Sequence, residues 1–389
     1  MKLTGWEDEV VSEGFVLTGG LIVTDEVADG WVAVSGGLIA EVGTGPPPPG
    51  EQVDVDGALV VPGFVDIHNH GGGGGSFSST DPAAALSAVR THRRHGTTTL
   101  LASLVSDPVP VLRSQIAALR ELVDDGELAG IHLEGPFISK ARCGAHDPAA
   151  LREPDSATVA ALLAAGGGAV RMVTLAPELP GGVKAVRQLA EAGVIAALGH
   201  TDGVEEQIRP ALDAGATVAT HLFNGMRPLH HREPGPIGVL LEDPRVTVEL
   251  ICDLVHLHPT IVRLAAKHAG RGRTVLITDA MSATGAPDGS YVLGRLKVDV
   301  RDGVATLARN GSLAGSTLTM DVAFRNLVLG AGLDLLDAVH ATSGKPAELL
   351  GISDRVGALR PGLSADLVVL DADLRPSRIL RRGEWVTFS

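Results

Sequence analysis

The feature that most constrains this chain is a rhythm. From residue 64 to residue 279, short apolar, partly β-branched runs alternate with alanine-rich runs of helical character. The spacing predicts strands at 64–70, 97–103, 130–134, 170–176, 194–200, 217–222, 246–252 and 274–279. Between them lie helical segments such as "DPAAALSAVRTHRRHG", "PVLRSQIAALRELVDD", "GGVKAVRQLAEAG" and "EEQIRPALDAG". Gly96, Gly193 and Gly215 stand where a helix must end and the next strand begin, the position that glycine caps best. Eight such units in succession predict an α/β chain folded as a (β/α)8 TIM barrel. A doubly wound open sheet is the alternative. Against it, no G-x-G-x-x-G opens a helix after the first strand.

The two ends of the chain read differently. Residues 1–61 and 357–389 are short strand-like pieces broken by turns such as "GPPPPG", with no helical period. They predict a small β domain assembled from both termini, with 62–356 as the barrel. Residues 288–318 read as a hairpin inserted after the eighth strand, and 317–350 as one or two closing helices.

Composition limits partners and compartment. Aromatic residues are only 3% of the 389, so the core must be built from Ala, Val, Leu and Ile. A net charge of −14 without a long basic stretch argues against nucleic acid and anionic membranes, so a small-molecule partner is expected. No apolar run approaches the roughly 20 residues of a membrane span. The opening "MKLTGWEDEV" carries acids where an export signal needs bases and an apolar run, so a cytoplasmic protein is expected. Cys143 and Cys252 are then expected to be free thiols, Cys252 in the core.

Reactive residues fall at the ends of the predicted strands, where TIM barrels place their chemistry. The first strand runs into "DIHNHGGGGG", whose alternation puts Asp66, His68 and His70 on one side. The glycines after them permit tight turns and close approach, or alternatively an anion-binding nest of N–H groups. Glu134 ends the third strand, His200 the fifth, His221 the sixth and Asp279 the eighth; Asp253 and His256 follow the seventh. Any one of these residues alone has an ordinary structural explanation, but so many at one end point to a metal site. Histidines with a carboxylate suit a divalent metal, zinc first, with open positions for water. Asp279, alone on the last strand, suits a proton carrier. Cys143, near Lys140 and Arg142, is a thiol beside the same region.

In order along the chain, "PGFVDIHNHG", "HLEGPF", "GAHDP", "LGHT", "THLFNGM", "REPG", "TDA", "LAGSTLTM" and "ADLVVLD" resemble the N-acetylglucosamine-6-phosphate deacetylases of the amidohydrolase superfamily. The resemblance implies a barrel with a small β-sandwich domain from both termini. It also implies hydrolysis of an amino-sugar phosphate acetamide. By motif, Glu134, His200 and His221 are implied as principal metal ligands, and His68 and His70 as ligands of a second ion, giving one or two ions per chain. Asp279 is implied as general base and acid, and His146 as the group that helps polarise the acetyl carbonyl beside Ala145. Asn224 and Gly225 are implied as substrate contacts, although the family more often has alanine at the second. Arg232 and His256 are implied as the phosphate clamp and Asp253 as a substrate-binding residue, the family's D-G-x-H being "DLVH" here, and Leu313, Ala314 and Gly315 as substrate wall. A homodimer is expected. Two other readings remain: an amidohydrolase acting on a cyclic amide or another N-acyl substrate, which would not need a phosphate clamp, and a non-catalytic barrel scaffold, which would not need the full ligand set.

Overall fold

The computed structural model describes residues 14–387; the reading of the extreme N-terminus lies outside them. Its centre is a parallel eight-stranded sheet in sequential order: Phe64–Asp66, Thr97–Leu104, Gly130–Glu134, Val170–Leu175, Ile195–Leu198, Ala216–Ala219, Thr247–Ile251 and Thr274–Ile277, hereafter strands one to eight of the barrel. The helices between them are those expected, including Pro82–Arg93, Val109–Asp124, Gly182–Glu191 and Glu205–Asp213. Gly96, Gly193 and Gly215 adopt φ of 86°, 70° and 113°, the left-handed conformation that ends a helix without a Cβ penalty. The core is almost wholly aliphatic, and among its largest buried side chains only Phe64, Phe77, Phe137 and Phe324 are aromatic.

The barrel closes between strands eight and one, and the first strand is shorter than its sequence suggests. Regular pairing stops at Asp66. Beyond it, Asp279 N–H donates to His68 O at 2.9 Å and His70 N–H to Ala280 O at 2.7 Å. The buried Asp66 carboxylate accepts from Thr278 Oγ1 at 2.6 Å and from Asn69 Nδ2 at 2.9 Å. Asp66 therefore turns to the seam while His68 and His70 go on to the barrel mouth.

The glycine run is a packing device. Gly71–Gly72 pairs with Gly75–Ser76, and a Cβ on Gly73 would lie 2.2 Å from Thr91 Oγ1, one on Gly75 2.0 Å from Ala84 O. Side chains are absent because this turn lies directly on helix Pro82–Arg93. The nest reading is not supported: Gly71 N–H donates to Asn69 Oδ1, and Gly73 and Gly74 donate to Thr284 O and Ser282 O.

Residues from both termini build the second sheet. Its order runs Glu384–Trp385, Pro376–Arg381, Leu367–Leu370, Leu59–Pro62, Phe15–Val23, Val27–Ser35, Leu38–Gly43, with Glu51–Asp54 also paired to Phe15–Val23. Its two edges approach each other, since Ala365 N–H donates to Gly37 O and a Cβ on Gly383 would touch Gly37. The sheet thus wraps its own core of Leu17, Val32, Ile39, Val60, Leu367 and Leu380.

The insertion after strand eight has three strands where two were expected: Gly289–Leu293, Leu296–Arg301 and Val304–Leu307, antiparallel. Val298, Val300, Ala305 and Leu307 pack on Met281, Ala283 and Val105, with Ala145 against the same cluster. The closing region has three short helices, Met320–Arg325, Leu335–Val339 and Lys345–Leu349, separated by widened helical turns. Among the described residues no helix is long and apolar enough to cross a membrane.

Candidate active site

Glu134 is the last residue of strand three, while His200, His221 and Asp279 each sit two residues past a strand end. These three have φ of 47°, 28° and 50°. Left-handed backbone at a non-glycine residue costs about 1–3 kcal/mol and persists where the surroundings enforce it, characteristically at functional sites. Here it swings each side chain inward over the end of the barrel.

The buried Glu134 carboxylate stands at the centre. Its Oε1 lies 2.9 Å from His200 Nε2 and 2.9 Å from His221 Nε2, and these two nitrogens are 3.1 Å apart. Its Oε2 lies 3.2 Å from His70 Nε2 and 3.2 Å from His146 Nε2. A second group adjoins the first: His68 Nε2 is 3.1 Å from His70 Nε2, and Asp279 Oδ1 is 3.2 Å from His70 and 3.5 Å from His68. Ligand atoms of a tetrahedral zinc site, at about 2.0–2.1 Å from the ion, stand about 3.3 Å from one another. Both groups have this scale and share Glu134.

Hydrogen bonds on the far ring nitrogens show which histidines can be ligands. His200 Nδ1 faces Arg142 O at 2.7 Å and His70 Nδ1 faces Ser103 O at 3.1 Å. Carbonyls only accept, so both Nδ1 atoms carry the proton and both Nε2 atoms present lone pairs. His68 Nδ1 faces the Glu249 carboxylate at 3.3 Å, with the same consequence. His146 is opposite. Ser106 N–H donates to its Nδ1 at 3.1 Å, so the neutral ring carries its proton on Nε2, the nitrogen that faces the site. His146 is therefore a hydrogen-bond donor there, although its position alone also lets it be grouped with Glu134 and His200 as a ligand set. Lone pairs of His68, His70, His200 and Glu134 directed at one another across about 3 Å repel unless a cation lies among them. The donor set fits a divalent metal.

Protonation follows the same geometry. Burial lowers the His68 pKa, but the Glu134 and Asp279 charges outweigh it and raise it well above 6.5; His70 and His200 are also raised. Each of these shifts favours positive charge at the ring. Burial raises the Asp279 pKa, but His68 and His70 draw it down to about 2. Burial dominates at His146 and lowers it to about 4, keeping the ring neutral.

The structure also brings in residues that sequence reasoning did not single out. Glu249, fully buried on strand seven, lies under His68 and His221. Ser103 Oγ, His132, Thr174 and Thr220 form a buried chain with links of 2.9, 2.8 and 2.8 Å beneath the site. His92, from helix Pro82–Arg93, donates Nε2–H to Gly71 O. Inward positions of parallel strands look like any apolar run with a stray polar residue, so only the paired polar atoms of neighbouring strands reveal this layer.

The residues expected around the substrate fall in several places. His146 lies beside Glu134, and Ala145 next to it packs against the inserted sheet. Leu313, Ala314 and Gly315 run alongside Asp279: Ser316 N–H donates to Asp279 O at 2.7 Å, and a Cβ on Gly315 would come within 3.0 Å of that same oxygen. Asp253, His256, Leu313 and Gly315 line one cavity of about 240 Å³ with residues 302–305 of the insertion. In it Asp253 Oδ2 lies 2.7 Å from His256 Nδ1, and despite burial the carboxylate raises the His256 pKa above 6.5. Asn224 is half-buried and donates to His221 O; Gly225 has φ of 60°, and a Cβ there would lie 2.8 Å from His200 Nδ1, which accounts for glycine in this chain. Arg232 is set apart, on an exposed loop with Nη1 2.8 Å from His231 Nε2. Cys143 and Cys252 are both free, Cys252 buried with its thiol pushed up to about 12.

A barrel with one rim of inward histidines, a bridging carboxylate and a lone strand-eight aspartate defines a class, the metal-dependent hydrolases. The model of the Amidohydrolase family matches residues 59–386, and the chain belongs to that family. It is 47% identical to N-acetyl-D-glucosamine-6-phosphate deacetylase from Mycobacterium smegmatis, with a TM-score of 0.94 over 97% of this chain and 100% of that one; that structure is of a mutant in complex with N-acetyl-D-glucosamine-6-phosphate. It is 36% identical to N-acetylgalactosamine-6-phosphate deacetylase of Escherichia coli O157:H7, covering 96% of this chain and 99% of that protein. It is also 36% identical to N-acetylglucosamine-6-phosphate deacetylase of Lysinibacillus sphaericus, covering 92% and 93%.

Proposed function

We propose that this enzyme hydrolyses the acetamide of N-acetylglucosamine 6-phosphate to glucosamine 6-phosphate and acetate. The observation that carries the reading is the opposed orientation of its histidines. His68, His70 and His200 turn lone pairs inward, Asp279 is an ionised carboxylate beside them, and His146 turns an N–H inward. That combination suits addition of water to a carbonyl. The similarity to the Mycobacterium smegmatis enzyme in complex with N-acetyl-D-glucosamine-6-phosphate supports the choice of substrate.

Glu134, His200 and His221 would hold one divalent ion, zinc first, and His68 and His70 a second, with Glu134 between them. When bound, such an ion supplies Lewis acidity, lowering the pKa of water from about 15.7 to about 7 and polarising the carbonyl. Asp279, ionised at neutral pH, accepts a proton from the attacking water as its oxygen bonds to the acetyl carbon. His146 Nε2–H donates to the carbonyl oxygen as negative charge gathers there. Asp279 then returns the proton to the nitrogen as the C–N bond breaks, releasing amine and acetate. His256, whose cationic form Asp253 favours, would face the phosphate across the cavity it lines; Arg232 would join it, contributed from its exposed loop within a homodimer. A cytoplasmic setting suits a phosphorylated sugar. The test is acetate release from N-acetylglucosamine 6-phosphate by purified protein, abolished by chelation and restored by divalent metal. A folded, metal-loaded chain that releases no acetate would refute the assignment.

A further inference from the structure

We infer that Glu249 is a positioning residue that ties the two metal-binding groups together through a single carboxylate oxygen. The inference rests on the two-ion reading above. Glu249 projects from the middle of strand seven, is fully buried, and is not placed to touch a substrate. Its Oε2 takes two bonds: His68 Nδ1 at 3.3 Å, and the backbone N–H of His221 at 3.1 Å. One oxygen therefore fixes the tautomer of His68, in the His68–His70–Asp279 group, and the strained backbone, φ 28°, of His221, whose Nε2 lies beside Glu134 and His200. Its backbone adds to the same grip, since Leu222 N–H donates to Glu249 O at 2.9 Å.

Two features distinguish this from an ordinary buried polar residue. The other oxygen, Oε1, is buried without a hydrogen-bond partner among the described residues, a costly state for a residue whose task is only to satisfy one amide. Secondly, a carboxylate behind a ligating imidazole pins the ring and strengthens its lone pair, so removing such a partner typically lowers metal affinity about 10–100-fold. His70 and His200 are pinned by neutral carbonyls, so His68 alone among these three has an anionic partner. The His68 group is where the effect must be largest.

The test uses Co2+ titration of metal-free full-length protein, with ions bound per chain and stepwise affinities as the readout. In Glu249→Gln an amide oxygen can keep both hydrogen bonds but not the charge. It is expected to weaken one of two ions about 10–100-fold and leave the other nearly unchanged. Glu249→Leu removes the acceptor for both groups and is expected to lose the weaker ion and weaken the remaining one as well, with Glu249→Gln intermediate between it and wild type. Histidine 15N chemical shifts of the loaded protein give a readout that simple destabilisation would not move: in Glu249→Leu the His68 Nδ1–H signal should shift or vanish while those of His70 and His200 persist. If wild type binds two ions and both variants bind two with unchanged affinity, the positioning role is overturned and the two-ion reading stands. If wild type binds only one ion, the two-ion reading fails and the tie between two sites fails with it.

Discussion

His146 and His200 lie with ring centroids 4.7 Å apart and carry their protons on opposite nitrogens. The difference arises from one backbone group each, an N–H from Ser106 and a carbonyl from Arg142, and it assigns the two rings opposite chemistry. His146→Leu should therefore lower kcat by about 10²–10³, the usual loss for one donor to a developing oxyanion, with metal per chain unchanged. Loss of an ion in that variant, measured by elemental analysis, would instead make His146 a ligand. Asp279→Asn keeps the shape of the carboxylate but removes its basicity. Turnover should fall about 10²–10⁴-fold with the metal retained, and near-normal turnover would remove Asp279 from the proton path. Residue types and places at strand ends were legible in the sequence. Tautomers were not, because each is set by a residue distant along the chain.

At the scale of elements, the eight barrel strands lie where the alternation of apolar and alanine-rich runs puts them, since strands covered on both faces read as largely apolar runs. The first strand departs from its reading for a local reason. After Asp66 the chain must both close the barrel and carry two ligands inward, and it does so by exchanging bonds with Asp279 and Ala280 in place of regular pairing. Asp66 is the side chain that holds this junction. Asp66→Ala removes the carboxylate that accepts from Thr278 Oγ1 and Asn69 Nδ2 in a buried seam, at a cost of about 1–3 kcal/mol. The melting temperature should fall sharply and affinity for the His68-side ion should fall with it. A variant as stable as wild type would show that the backbone bonds alone close the barrel. The third strand of the insertion was not legible because Val304–Leu307 is only four residues long and follows a turn without a distinctive period.

Across the whole molecule, the histidine and carboxylate cluster, residues 313–315 and the Asp253–His256 pair come from segments far apart in sequence, brought to one end of the barrel by its topology. The Asp253–His256 pair can be read from pH. His256 has a folded pKa above 6.5, where burial opposes and Asp253, then Asp279, raise it. Its cationic form is thus favoured over that of a free imidazole, and it loses its charge as pH rises through the folded value. The ratio of kcat/KM for N-acetylglucosamine 6-phosphate to that for N-acetylglucosamine should fall on the alkaline side, and Asp253→Asn should move that fall to lower pH. A ratio independent of pH would take His256 out of phosphate recognition. The central claim, deacetylation by a metal held at this rim, is tested most directly by reloading metal-free protein stepwise with Zn2+. Bound metal, acetate and free amine from N-acetylglucosamine 6-phosphate are measured on the same samples. The account predicts no acetate at zero metal, activity that rises with occupancy, and acetate and amine released one for one. Acetate release by the metal-free protein, or none from the fully loaded one, would contradict it.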